Sequence, residues 1–450
     1  MHGSVATLSL DLADGPALHR DLSADDGGAA MHRFIAELYP ICRSITGDGV
    51  RRSLALIREH IPITLCEVPS GLSVFDWAVP PEWNIRDAYI KNSAGERIVD
   101  FRASNLHVVS YSAPVKARMS LADLKPHLFS DPAHPDLIPY RTSYYKETWG
   151  FCLPHRQLMD LPEDEYEVCI DSTLAPGHLT YGQLRLIGQS SEEVLISCHV
   201  CHPSLANDNL SGIAVATALA QRLSAMTLRY SYRFLFIPGT IGAITWLSLN
   251  RARTNKIRHG FVMTCVGDSG RVTYKASRRG DAEIDQAWRY VLAQSGEDFE
   301  IRPFSPLGYD ERQYCSPGFN LPVGCLMRTP HGEFAEYHTS ADNLDFVKPA
   351  ALADTLTKTL AAVDVIENNQ RYSNLKPFCE PKLGDYGLYT TTGGLSADLR
   401  QKALLWLLNL SDGEHSLLDI AMRSNLPWHA VKEAARALTA AGLLKPAEVR

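Results

Sequence analysis

The sequence of 450 residues lacks the features that would assign it to a membrane, to nucleic acid or to the cell exterior. No apolar run reaches the ~20 residues that a membrane-spanning helix needs. The net charge of -7 argues against a nucleic-acid-binding surface over the whole protein. The first residues, MHGSVATLSLDLADGPALHR, show no basic segment followed by an apolar one, as a secretion signal would. We therefore expect a cytoplasmic protein with neither a membrane nor nucleic acid as its partner.

The cysteines are not arranged for a disulfide framework or for a zinc knuckle. Ten cysteines are spread from Cys42 to Cys379, and only Cys198 and Cys201 form a CxxC pair. Dispersed cysteines in a long chain without a secretion signal are typical of reduced, buried thiols. No second CxxC pair accompanies the first in the sequence, so we interpret this pair as packed thiols in preference to half of a structural zinc site.

A chain of this length is too long for one ordinary core, and we expect two or three domains. Residues 1–30 are rich in Ala, Asp and Gly and are expected to form a flexible leader. Residues 31–70 and 146–380 are assigned to one α/β domain. Residues 71–145 are dense in aromatics, prolines and short alternating runs, which indicates an inserted β-rich domain. Residues 381–450 are assigned to a separate winged-helix domain.

After Trp149 the pattern alternates between apolar strands and helices. Strands are predicted at 166–171, 179–188, 193–198, 230–238, 259–268 and 321–328, and helices at 212–223, 241–250, 282–294 and 349–367. Buried apolar strands that alternate with helices indicate an α/β fold with a mostly parallel central sheet. Active sites of such sheets lie at the C-terminal ends of the strands.

Two segments leave a choice between structural and functional roles. Seven aromatic side chains of the insertion could line a substrate mouth, although such density more often forms the core of a small β module: Trp77, Trp83, Tyr89, Tyr111, Tyr140, Tyr144 and Tyr145. The last 70 or so residues show the rhythm of a winged helix or helix-turn-helix. Their basic residues are sparse and balanced by acids, so we expect packing or homo-oligomerisation more than DNA binding.

Side chains that could bind a metal follow several predicted strands. They are His199, Cys201, His202 and Asp208 in VLISCHVCHPSLANDNLSG, Asp268 at the end of the strand 259–268, and Glu336, His338 and Asp342 after the strand 321–328. The irregular loop GYDERQY, between these last two strands, offers Asp310, Glu311 and Arg312. Histidine and carboxylate donors brought together from successive strand ends are the set that zinc favours.

The motifs CHPSLANDNLSG, DERQYCSPGFNLPVG and EYHTSADNLDF resemble those of a bacterial family of zinc aminopeptidase-like proteins. The resemblance covers nearly all of residues 31–450, including DWAVPPEWNIRDAYI and IPYRTSYYKETWGFC in and beside the insertion. It implies a zinc-aminopeptidase-like (phosphorylase/hydrolase-like) sandwich with a central, mostly parallel sheet, an inserted β-rich domain and a C-terminal winged helix-turn-helix. It implies no particular substrate.

The resemblance also implies a metal site for one or two zinc ions. Its ligands fall on His202, Asp208 and His338, and Asp208 would bridge two ions with Asp268 holding the second. His199 is an alternative to His202, because related proteins usually take the first histidine nearer the end of the strand.

The chain departs from the family at two positions. The family typically has glutamate where this chain has Gly239, in PGTIG, and that glutamate aligns with the general base of related aminopeptidases. Loss of a general base typically costs ~10²–10⁴-fold in rate. The family usually has serine where this chain has Tyr309. Two changes around one predicted site indicate altered chemistry more than random drift.

Three functions remain open at this point. The first is a zinc-dependent hydrolase of a peptide or amide bond in a small molecule or short peptide, with Glu311 or Glu336 as the substitute base. Arg312 or Tyr309 would stabilise the oxyanion, and Asp310 belongs to the same predicted catalytic group. The second is zinc-dependent acyl or amide transfer in a specialised biosynthetic pathway. The third is a non-catalytic binding protein that keeps the fold.

Overall fold

The computed structural model describes residues 24–388 and 395–447. Most of the predicted leader, residues 1–23, lies outside the described residues, as does the segment 389–394 of the Gly- and Thr-rich linker. Within the described residues the chain forms two compact units. The larger unit contains residues 24–282 and 298–357, and the smaller contains the remainder.

The larger unit is built on a mixed eight-stranded sheet. In chain order its strands are β1 (Thr64–Pro69), β2 (His178–Leu186), β3 (Glu193–His199), β4 (Ser231–Ile237), β5 (Ile257–Met263), β6 (Val272–Lys275), β7 (Phe299–Arg302) and β8 (Val323–Met327). They lie in the order β1-β2-β4-β3-β5-β8-β6-β7. The central strands β4, β3, β5 and β8 are parallel to one another. Antiparallel pairs join β1 to β2, β2 to β4 and β6 to β8.

The central strands are apolar segments in which every residue except Arg258 of β5 is buried, as in VLISCH of β3 and YRFLFI of β4. Burial on both faces is what the uninterrupted apolar pattern predicts for central parallel strands, and these strands are confirmed. The predicted strand 259–268 ends earlier, at Met263, because the chain turns before Asp268. The short strands β6 and β7 were not predicted, since VTYK and FEIR carry too weak an alternation to stand out.

Helices connect these strands. The longer ones of the larger unit are Ala24–Leu38, Asp48–His60, Gly212–Ser224 and Ile241–Leu249, and the short ones are Leu121–Leu124, His155–Met159 and Glu311–Tyr314. The helix Pro349–Asn368 has residues in both units. None of the helices in the described part of the chain is long and apolar enough to cross a membrane.

The predicted insertion contributes to a second, antiparallel sheet. Its strands are Arg97–Asp100, Glu82–Lys91, Glu165–Ala175 and Val115–Ser120, in that spatial order. Two small ladders pair Ser73–Val74 with Trp77–Ala78, and Leu128–Phe129 with Phe151–Cys152.

The seven aromatic side chains of the insertion do not share one environment. Trp83, Tyr111 and Tyr140 are buried, whereas Trp77 and Tyr145 are about half exposed and their rings lie 5.3 Å apart. A single role, core or mouth, therefore does not describe the whole set.

The smaller unit contains the winged-helix arrangement that the sequence predicts. Its helices are Glu283–Gln294, Leu395–Leu410, Leu417–Ser424 and Trp428–Ala440, and its three-stranded antiparallel sheet consists of Arg371–Asn374, Asp412–Ser416 and Leu444–Pro446. Lys432, on the last of these helices, is buried and ion-paired with Asp364, with Nζ 2.6 Å from the carboxylate. The ammonium group of Lys432 is therefore engaged in an ion pair within the smaller unit.

Candidate metal centre

Three imidazoles surround the carboxylate of Asp208 at the C-terminal edge of the central sheet. His199 ends β3, and its Nε2 lies 2.9 Å from Oδ1 of Asp208. Nε2 of His338 lies 3.0 Å from Oδ2, and Nε2 of His202 lies 3.9 Å from the same oxygen. The side chains of Asp208 and His199 are completely buried. The structure thus brings together the predicted ligands His202, Asp208 and His338, and it places the alternative His199 in the same cluster.

Asp208 is held by the loop that carries His338. The carboxylate of Asp342 accepts hydrogen bonds from the backbone N–H groups of Asn207 and Asp208, at 2.6 and 3.0 Å. Asp342 is buried, and burial raises its pKa to about 8, although the hydrogen bonds from the backbone work against this rise. A segment more than 130 residues away in sequence therefore holds the backbone of the turn that carries Asp208.

The two asparagines of the NDN motif tie the same turn to the end of β5. Nδ2 of Asn209 donates to the carbonyl of Met263 at 3.0 Å, and Nδ2 of Asn207 donates to Asp268 at 3.0 Å. Asparagine suits both positions because its amide can donate while its carbonyl accepts from a backbone N–H. The motif is therefore explained by the support of Asp208 between two asparagine amides.

Asp268 lies beside this turn, but its carboxylate is occupied. It accepts hydrogen bonds from Asn207, from the hydroxyl and backbone N–H of Thr329 at 2.6 and 3.3 Å, and from the N–H of Gly270 at 2.7 Å. Two groups of three possible metal ligands occur among the described residues, and Asp268 is in neither. The predicted ligand Asp268 thus belongs to a hydrogen-bond network that joins its own loop to the loops carrying Asn207 and Thr329.

The protonation of the cluster suits a metal. Burial alone would raise the pKa of Asp208, but the neighbouring histidines hold it well below its ordinary value. Burial lowers the pKa of His202 well below its ordinary value, so that its imidazole is neutral. A neutral imidazole and an ionised carboxylate are the forms in which these side chains bind zinc. The residues present therefore fit the metal that the resemblance implies.

The second group of possible ligands consists of Asp208, Cys265 and His331. The sequence reasoning missed Cys265 and His331. Cys265 follows the end of β5 by two residues and His331 follows the end of β8 by four. Their positions just past two strand ends could have marked both as candidate ligands from the sequence.

Within the GYDERQY loop, Glu311 is not free to act as a base. Its buried carboxylate forms an ion pair with the ammonium group of Lys275, on β6. It also accepts the backbone N–H of Tyr309 at 3.1 and 3.2 Å. Glu311 therefore positions Tyr309 in the structure.

The other predicted catalytic side chains lie in different surroundings. Arg312 is exposed, and Glu336 is half-buried in the loop before His338. Asp310 is completely buried, and neither of its carboxylate oxygens has a hydrogen-bond partner in residues 24–388 and 395–447. Burial, with the charge of Glu311 beside it, raises the pKa of Asp310 well above its ordinary value. Both causes favour the neutral form of this carboxyl.

Tyr309 fills the space beside Gly239. Its ring centroid lies 3.9 Å from that of His199, and its hydroxyl lies 3.6 Å from Sγ of Cys201. A Cβ placed on Gly239 would come within 2.7 Å of both Cζ and the hydroxyl of Tyr309. The two departures from the family pattern are therefore a single structural exchange, in which the tyrosine ring takes the place of any side chain at position 239.

One aromatic side chain of the insertion reaches the cluster. The ring centroid of Tyr140 lies 5.1 Å from those of His202 and His338, and its hydroxyl lies 3.1 Å from that of Tyr144. Tyr140 therefore forms part of the wall around these two histidines.

Comparison with solved structures identifies the fold of this chain. A zinc aminopeptidase from Bacillus subtilis superposes with a TM-score of 0.54, covering 75% of this chain and 94% of that chain at 13% identity. A peptidase M28 precursor from Shewanella amazonensis gives a TM-score of 0.53, with 78% and 96% covered at 14% identity. Likenesses at such low identity show the fold alone. This chain therefore has the zinc-aminopeptidase fold, as predicted, with a mixed central sheet.

Residues 32–369 match the model of a family described as a domain of unknown function, DUF4910, and residues 370–446 match a winged helix-turn-helix family. The chain belongs to the DUF4910 family. A Clostridium acetobutylicum protein, provisionally named a polysaccharide biosynthesis protein with an aminopeptidase-like domain, is 51% identical over 424 residues, which are 94% of this chain and 98% of that protein. A crystal structure from the same organism, of a protein provisionally named a peptidase, gives a TM-score of 0.91 at 49% identity over 96% of this chain and 99% of that chain. The resemblance to aminopeptidase-like proteins is thereby confirmed.

Proposed function

We propose that this protein is a metal-dependent enzyme of the aminopeptidase type that acts on the amide or acyl group of a small molecule or short peptide. The observation that carries the proposal is the convergence of three imidazoles on the buried carboxylate of Asp208. His202, Asp208 and His338 would hold zinc, with His199 as the alternative ligand. A zinc ion held there supplies a Lewis acid that polarises a carbonyl group.

Two observations bear on which nucleophile the enzyme uses. The resemblance leads one to expect a glutamate as general base at position 239, where this chain has glycine, and Tyr309 occupies the space beside it. Glu311 is committed to Lys275 and to the backbone of Tyr309, so it cannot readily accept a proton from water. A water nucleophile depends on such a base, and its loss typically costs ~10²–10⁴-fold in rate. Hydrolysis is therefore the less favoured half of the proposal.

Transfer of an acyl group to an amine is the second candidate, and the Gly239–Tyr309 exchange favours it. A neutral amine is a better nucleophile than water and needs less help from a base. The biosynthetic name of the Clostridium acetobutylicum relative agrees with such a group transfer. Asp310 is a buried carboxyl without a partner among the residues described, and its surroundings favour the neutral form, so it is the carboxyl of this loop best suited to donating a proton.

The test starts with metal content and then compares acceptors. Purified protein is expected to hold zinc, and His338→Ala is expected to lose the ion that His338 binds. His134→Ala is the matched control, because His134 also pairs with an aspartate and its side chain is exposed to a similar extent, 37% against 33%. Acyl donors are then offered with and without an amine acceptor, beside dipeptides and aminoacyl anilides.

Product that forms only with the amine supports transfer, and cleavage without it supports hydrolysis. Absence of zinc, together with no effect of His338→Ala on any measured property, would reject both enzymatic functions and leave the binding protein.

A further inference from the structure

We infer that Asp208, Cys265 and His331 form a second metal site, which takes a zinc-like divalent ion through a carboxylate, a thiolate and an imidazole. Asp208 is also a ligand in the proposed function, and the inference rests on the proposed function through this shared residue. It differs from the site expected by resemblance, which gives the second ion to Asp268.

The three donors are close enough to bind one ion. Each offers an atom that lies within 4.8 Å of the other two. Sγ of Cys265 lies 3.6 Å from Nδ1 of His331. With a zinc–sulfur bond of ~2.3 Å, a zinc–nitrogen bond of ~2.05 Å and a tetrahedral angle, sulfur and nitrogen would be ~3.6 Å apart. The separation in the protein is therefore the one that a shared zinc ion requires.

The ring of His331 is half-buried, and within residues 24–388 and 395–447 its polar contacts are confined to the thiol of Cys265. Its Nε2 is buried and has no hydrogen-bond partner among the residues that the structure describes, and its Nδ1 faces the thiol. Its other neighbours include the rings of Tyr309 and Tyr337, at 5.9 and 6.0 Å between centroids. Buried polar groups are normally paired, and a metal ion is the partner that this ring and thiol together can accept.

The backbone also singles out these positions. Cys265 has a φ of 49° and His338 a φ of 55°, both in the left-handed region that residues other than glycine rarely adopt. Such residues persist where the surroundings impose the conformation, and they concentrate at ligand-binding sites. One lies in each of the two candidate ligand sets around Asp208.

Asp268 is a poorer second ligand than Cys265. Its two oxygens already accept four hydrogen bonds, from Asn207, Gly270 and Thr329. Binding a metal would break several of these bonds, whereas the completely buried Cys265 has no comparable network to lose. The sulfur donor further predicts a preference for zinc or cobalt over magnesium or calcium.

The test measures metal content and the spectrum of cobalt-substituted protein. Full-length protein loaded with zinc and then dialysed is expected to hold two equivalents, and the Co²⁺ form is expected to show thiolate-to-cobalt charge-transfer absorption. Cys265→Ser is expected to remove that absorption and one equivalent, and His331→Ala to remove one equivalent. Cys325→Ser is the matched control, because Cys325 is equally buried on β8.

A second control identifies the sulfur. Cys201 is the competing thiol, since its Sγ lies 3.3 Å from Nδ1 of His202. Absorption that is lost in Cys201→Ser and kept in Cys265→Ser would overturn the inference. The inference would also be overturned if the Co²⁺ form of the native protein showed no thiolate-to-cobalt charge-transfer absorption. This measurement uses the native protein alone, so it does not depend on whether a variant folds. If one equivalent remains bound in that case and His338→Ala removes it, the proposed metal-dependent function stands. If no metal binds at all, both fail.

Discussion

Replacing Gly239 while Tyr309 is present should destabilise the protein, and removing the tyrosine should relieve the effect. In Gly239→Ala the new Cβ would lie within 2.7 Å of the phenol of Tyr309, well inside van der Waals contact. Overpacking of this kind typically costs about 1–3 kcal/mol. For a large domain that corresponds to a fall in melting temperature of roughly 2–4 °C per kcal/mol. The φ of Gly239 is not in the left-handed region, so the cost is steric alone.

A double-mutant cycle measures this contact directly. Tyr309→Ser alone is expected to cost less than the ~3–5 kcal/mol of a fully buried aromatic truncation, because Tyr309 is only half-buried. The double variant Gly239→Glu/Tyr309→Ser restores the family pattern and should cost less than the sum of its single variants by about 1–3 kcal/mol. Gly318→Ala is the control, since nothing lies within 4 Å of a Cβ there.

Equilibrium denaturation of the four forms gives the coupling energy, and the same proteins can be assayed for peptide hydrolysis. The double variant is expected to gain hydrolysis relative to the native protein, because it regains a carboxylate in the position of the general base, a role worth about 10²–10⁴-fold. Strictly additive costs would refute the structural exchange. Coupling without any gain in hydrolysis would leave the exchange intact and contradict its link to the nucleophile.

Three further predictions test other parts of the molecule. Burial lowers the pKa of His259 to about 3, so stability should be lost as pH falls from ~6.5 towards 3, and His259→Phe should flatten this loss in thermal melts across that range. Glu311→Gln should cost about 3–5 kcal/mol in denaturant melts because it leaves Lys275 buried without its ion pair, whereas Asp171→Asn, in an exposed pair, should cost less than about 1 kcal/mol. Ser416→Ala should destabilise the winged-helix unit by about 0.5–2 kcal/mol, seen as a lower melting temperature, because it removes a capping box; an unchanged melt would contradict that role.

The parts of the fold that were predictable are those in which one local pattern decides the structure. The apolar strands β3, β4 and β8 and the helix Gly212–Ser224 follow from uninterrupted hydrophobicity and from helical spacing. The strands β6 and β7 escaped because they have four residues each and acquire their character only by pairing with other strands. Pairing of this kind is a tertiary effect, which a local pattern does not carry.

The candidate site divides in the same way. His199, His202 and Asp208 sit within ten residues of one strand end, so their spacing made them visible. Cys265 and His331 are 66 residues apart in sequence, and only the adjacency of β5 and β8 in the sheet brings them together. The ion pair between Glu311 and Lys275 was not predicted either, because Lys275 lies on the unpredicted strand β6.

These long-range contacts connect the altered positions to the candidate metal centre. Lys275 pairs with Glu311, Glu311 accepts the backbone N–H of Tyr309, and the ring of Tyr309 lies against His199, whose Nε2 meets Asp208. Each contact in this series fixes the next, so the tyrosine is held in its position by buried groups. A ring held so firmly against a candidate ligand leaves no room for a side chain at Gly239. The glycine is therefore required by the tyrosine, and a single substitution at position 239 cannot restore the family's base.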